Sequence, residues 1–177
     1  VEVFSVTTGE NIIALLEETL TSFQPRNIFF SCSIVIKPGS RKRSAMSVSL
    51  PPFSQIAAVA LGGSVGSMAR FFSNYYFSMW LGTTFPYGTL FVNVAGSLWL
   101  GFIGTLALNK AGLFDANVRL LLTTGFAGGF TTFSSLAFET MSLYQGGSWT
   151  LALANVASNL FLGFLGLILG IFLARLI

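Results

Sequence analysis

The chain has 177 residues, of which 53% are apolar and only 8% charged, against roughly a quarter charged in an ordinary soluble domain. With no His and a single Cys, a Ser-His-Asp or Cys-His nucleophile, a His-ligated zinc and an internal disulfide are all excluded. A net charge of +3, thinly spread, gives no footprint for nucleic acid, and a mean hydropathy of +0.76 points to a membrane.

Residues 1–52 carry nine of the fifteen charged side chains and read differently from the rest. Ile12 to Phe23 fits a short amphipathic helix. Ile28 to Ile36 is an apolar run too short to span, and no basic region precedes it as in a signal peptide. Met46 stands just before Ser-Val-Ser-Leu-Pro-Pro. We therefore read residues 1–45 as an N-terminal extension outside the functional unit and 46–177 as a four-span membrane domain. The rival reading is a cytosolic tail anchored to anionic lipid by Arg41-Lys42-Arg43.

From Phe71 to Asn109, and again from Thr140 to Ala174, there is no charge at all. Spans need about 20 mostly apolar residues, and four are expected: Phe53 to Phe77, Tyr87 to Leu108, Val118 to Tyr144 and Trp149 to Leu176. The short links make sequential spans antiparallel neighbours. The expected class is an all-α protein crossing the plasma membrane several times.

Small and polar residues recur at helical spacing within these spans. Asn93, Ser97, Gly101 and Gly104 share one face of the second; Asn155, Asn159, Gly163, Gly166 and Gly170 share one face of the fourth. For the glycines the reading is close helix packing. For the asparagines two readings stand, interhelical glue or the lining of a wet path.

The third span contains Gly128-Gly129-Phe130-Thr131-Thr132-Phe133-Ser134-Ser135. Adjacent glycines weaken a helix by around 1 kcal/mol each relative to Ala, so the expectation is a break at this glycine pair. Freed carbonyls at such a break commonly hold a hard cation such as Na⁺; the alternative is a kink with no ligand. Arg70 and Glu139 lie within spans, either as paired functional charges or as ends snorkelling to the interface.

Three segments together resemble the Fluc/CrcB fluoride channels: Gly62 to Arg70, Gly88 to Ser97, and Gly125 to Ser134. The resemblance covers residues 53–177 in order, and its most specific part is Gly-Gly-Phe-Thr-Thr-Phe-Ser. It implies an antiparallel, dual-topology homodimer with a broken third helix, two fluoride pores and a central structural Na⁺. By that resemblance Gly128 and Thr131 supply carbonyls to the Na⁺. Phe133 and Asn93 meet the fluoride, with Thr132, Ser134, Ser135, Asn155 and Asn159 continuing the polar pore. Thr89, Arg70 and Glu139 occupy further family positions. Three positions depart from the pattern. Leu136 replaces a second pore Phe, and Asn155 and Asn159 replace an aromatic and a serine.

Fluoride is small and strongly hydrated, so a pore must replace its water with donors. Amides, hydroxyls and aromatic edges can do this without a full positive charge that would trap the ion. The basic residues Lys110, Arg119 and Arg175 lie on the N-terminal side and Arg70 toward the other, a bias that dual topology does not call for. The leading expectation is a passive channel exporting fluoride, with fluoride, membrane lipid and a second copy as partners and no enzymatic chemistry. The alternatives are a proton-coupled small multidrug exporter, which needs a carboxylate that the first two spans of this chain do not contain, and a non-transporting assembly protein.

Overall fold

Helix α1 starts at Phe53, directly after Pro51-Pro52, and runs to Leu81. It is the first of four spans in the computed structural model, which describes residues 50–110 and 112–177, all within one compact unit, Ser47–Ile177. The amphipathic segment, the apolar run, the basic triplet and the start at Met46 expected from sequence lie outside the described residues. Helix α1 extends one turn beyond the expected Phe77, because no breaker intervenes before Gly82, which turns the chain at φ 78°.

Helix α2 covers Tyr87–Asn109. The third span is built in pieces: α3 (Ala116–Leu120), a π-helical stretch (Leu121–Ala127), α4 (Gly128–Phe130) and α5 (Phe133–Gln145). Asp115 starts it, its carboxylate accepting the Val118 N–H at 2.7 Å, one of the orphan donors of a helix start. Helix α6 is Trp149–Arg175. All four spans are long and apolar enough to cross a bilayer, and no strand occurs among the described residues. This is a multi-pass membrane protein.

Its surface is inverted relative to a water-soluble domain. Phe53, Phe71, Trp80, Phe161 and Phe172 are exposed, whereas the buried positions include Thr89, Thr132, Asn155 and Asn159. Helix α2 packs chiefly on α6, and α1 on the third span. Both contacts are backbone to backbone. A Cβ on Gly62 would run into the Leu121 carbonyl oxygen and one on Gly66 into that of Phe126. On the other pair, Gly101 faces the Leu167 carbonyl and Gly170 that of Leu98. Small residues permit this approach, which is how helices gain van der Waals contact when lipid supplies no hydrophobic drive.

The buried face of α6 is Ala152, Asn155, Asn159, Gly163, Gly166, Gly170 and Ala174, which contains the whole expected stripe. On α2 the buried glycines are Gly88, Gly96 and Gly101; Gly104 meets nothing within 4 Å. A row of rings ties α1, α2 and the third span together on another flank. Centroids lie 4.8 Å apart for Phe77 and Phe91, 6.5 Å for Phe91 and Phe130, and 5.6 Å for Phe130 and Phe126. Trp99 stands beside Phe126 and donates its indole N–H to the Leu122 carbonyl at 3.0 Å. That carbonyl belongs to the π-helical stretch, where the register change alters the usual backbone pairing.

Candidate ion site at the broken third span

The third span breaks at Thr131-Thr132. Thr131 (φ −77°, ψ 158°) and Thr132 (φ −153°, ψ 119°) are extended, while Gly128–Phe130 stay helical. The break therefore falls three residues beyond the glycine pair expected from sequence. Gly129 serves the contact with α1 instead, since a Cβ there would sit 2.5 Å from the Gly63 carbonyl oxygen. The β-branched threonines accept extended backbone readily.

Asn93, from the second turn of α2, holds the break open. Its Oδ1 accepts the Thr132 N–H at 2.8 Å, and its Nδ2 donates to the Thr132 carbonyl at 3.1 Å. One side-chain amide thus pairs with the peptide groups of Thr132 as a neighbouring strand would. In an unbroken helix that N–H would bond to the Gly128 carbonyl. Thr132 also caps α5: its Oγ1 accepts the Ser135 N–H at 3.2 Å, which an unbroken helix would give to the Thr131 carbonyl. The break releases four carbonyls from i to i−4 helical pairing, those of Gly128, Gly129, Phe130 and Thr131. Thr131 keeps its own place through bonds from its N–H and its Oγ1 to the Ala127 carbonyl, both at 2.9 Å.

Arg70 reaches the break from α1, its Nη1 donating to the Thr131 carbonyl at 3.3 Å. The Thr132 hydroxyl lies 3.2 Å from Ser134 Oγ and donates to Ser135 Oγ at 3.1 Å. Three hydroxyls therefore cluster at the start of α5. From Asn93 an amide ladder climbs through the core. Asn93 Nδ2 donates to Asn159 Oδ1 at 2.8 Å, and Asn159 Nδ2 to Asn155 Oδ1 at 3.0 Å and the Asn155 carbonyl at 2.9 Å. Asn155 Nδ2 donates to Thr140 Oγ1 at 3.0 Å, and Thr140 donates to the Leu136 carbonyl at 2.7 Å.

The remaining positions divide. Thr89, fully buried, donates to Glu139 Oε1 at 2.7 Å, while the buried Glu139 Oε2 has no partner among the described residues. Phe133 points outward, 77% exposed, and makes no ring contact among the described residues, whereas Leu136 is buried. Gly128 and Ser134 are also exposed, and nothing lies within 4 Å of a Cβ built on Gly128. Sequence reading missed Thr140 and Trp99. Their contacts depend on which helices are neighbours, which no local spacing reveals.

The CrcB-like protein, Camphor Resistance (CrcB), family model matches residues 57–171, a stretch that takes in most or all of each span and every residue of this site. The chain belongs to the Fluc/CrcB family. It is 45% identical over 122 residues to the fluoride-specific ion channel FluC of Roseiflexus sp., covering 69% of this chain and 98% of that protein. To the protein of the same name from Sulfurihydrogenibium sp. it is 44% identical over 119 residues, 67% of this chain and 95% of the relative. The Clostridium perfringens counterpart is 40% identical over 119 residues, with 67% and 92% covered. The Fluc/CrcB relatives thus align almost end to end with the described helices.

Proposed function

We infer that this chain is a subunit of a passive, fluoride-specific ion channel. The relatives named for that activity match this chain over 122 and 119 residues, nearly their whole length, and the chemistry of the site supports the reading. The cluster of Thr132, Ser134 and Ser135 hydroxyls at the break, the amide of Asn93 beside it and the exposed edge of Phe133 are neutral donors. Such groups replace fluoride's water without binding the ion too tightly to leave. The reading is of a conduit, as the relatives' name of ion channel has it.

The observation that carries the assembly is the exposure of small and polar residues flanking the break. Gly128 and Ser134, with Thr124 one turn earlier, lie on the outside of a single copy at membrane depth. Irregular backbone and unmet polar groups are tolerated there only when protein or a wet cavity covers them. A second copy supplies that cover, and an antiparallel pair brings two breaks together. The carbonyls of Gly128 and Thr131 suit a hard cation, since oxygen donors are what such ions take. Those two residues would hold the Na⁺, whose charge offsets the carbonyl dipoles gathered at the paired breaks. Export of fluoride from the cell follows from passive conduction down its gradient.

The test is efflux from liposomes holding the purified protein, read with a fluoride electrode. Fast fluoride release with chloride retained and no proton gradient imposed is expected. Release only under a proton gradient would replace the channel by a coupled exporter. No release from verified dimers would refute both transport readings.

A further inference from the structure

We propose that the amide oxygen of Asn159 is a tethered stand-in for the permeating anion, held on the donor of Asn93 that fluoride must use. The inference rests on the fluoride-channel reading and adds a latch to it. A primary amide has two N–H donors, and both of those on Asn93 are engaged, one by the Thr132 carbonyl and one by Asn159 Oδ1. Asn93 therefore has no donor to offer an incoming anion until one of these bonds gives way.

The two bonds are unequal. The Thr132 contact is one half of a closed pair, since Asn93 Oδ1 accepts the Thr132 N–H in return; losing it would strand peptide groups in a low-dielectric interior. The Asn159 contact is single, and Asn159 stays anchored without it through both of its own N–H groups, on Asn155. Space for an anion adjoins this weaker bond. An open groove of about 190 Å³ is lined by Ser97 and Asn159 together with the apolar Leu160, Gly163, Phe164 and Leu167. Ser97 lies one turn along α2 from Asn93 and makes no hydrogen bond among the described residues. An anion met there by the Ser97 hydroxyl can exchange with Asn159 Oδ1 on Asn93. An anion is the stronger acceptor of the two, because bonds to ionised groups are roughly twice as strong as neutral ones.

The experiment measures initial efflux against fluoride concentration for the full chain and for Asn159→Ala in the same liposomes. With the latch removed, the half-saturating fluoride concentration is expected to fall about three- to tenfold, the span of one net hydrogen bond. Asn159→Ser, whose hydroxyl is too short to reach Asn93, gives the same gain and serves should the alanine variant not assemble. Unchanged or weakened fluoride dependence in an assembled variant overturns the latch, as does failure of both variants to form dimers, which would make Asn159 a structural strut. Absence of efflux from the unaltered chain refutes the channel reading instead and is separable from these outcomes.

Discussion

At the scale of the residue, Asn93 concentrates more of the architecture than any other side chain. It completes the backbone pairing that the helix loses at Thr132 and begins the ladder to Asn159. Asn93→Asp keeps an oxygen for the Thr132 N–H but loses both donors and puts negative charge on the proposed route of the anion. Phe133→Ile removes a ring edge from an exposed position that makes no ring contact among the described residues. Both variants are expected to assemble as dimers by gel filtration and to reduce fluoride efflux at least a hundredfold. Retained efflux in both would remove these residues from the pore. The polarity and spacing of Asn93, Asn155 and Asn159 were legible in the sequence. Their mutual bonding was not, because spacing on one helix says nothing about which atom of an amide meets which neighbour.

At the scale of the element, the third span shows what local propensity can and cannot locate. Gly128-Gly129 marked the neighbourhood of the break correctly, yet the backbone opens at Thr131-Thr132. The glycine pair lies in helix, and Gly129 presses against the Gly63 carbonyl. Propensity identifies a weak segment, and the choice of which peptide opens falls to Asn93 on a different helix. The same logic separates adjacent glycines of α1. A Cβ on Gly62 meets the Leu121 carbonyl, whereas one on Gly63 finds only the Gly125 carbonyl at 3.9 Å. Gly62→Ala is therefore expected to destabilise the protein by about 1–3 kcal/mol, the usual cost of overpacking. Gly63→Ala is expected to be neutral or slightly stabilising, since alanine gains helix propensity. Heating series followed by gel filtration distinguish them; equal losses would show that the α1 contact is softer than the structure implies.

At the scale of the whole molecule, the four spans were legible because charge is so scarce that its absence outlines the helices. Their ends were less so: α1 continues past Phe77 to Leu81 for want of any residue to stop it. Lys110, Arg119 and Arg175 gather at one end, where Lys110 Nζ donates to the Ile177 carbonyl at 2.9 Å. The opposite links, residues 82–86 and 146–148, carry no charge. Arg41-Lys42-Arg43 would add to the bias at the first end and favour one orientation. Residues 46–177 expressed alone are expected to form dimers as active as those of the full chain. Active dimers from the full chain only would show that the extension belongs to the working unit. The amide ladder has a last consequence, for the energy stored across the membrane. It begins at the Thr132 N–H, which can only give a hydrogen, and ends at the Leu136 carbonyl, which can only receive one. A Grotthuss wire must reverse every link after each proton passes, and here both ends forbid reversal. This ladder by itself is thus no wire for protons, and under the fluoride-channel proposal it adds no path by which the proton-motive force would leak.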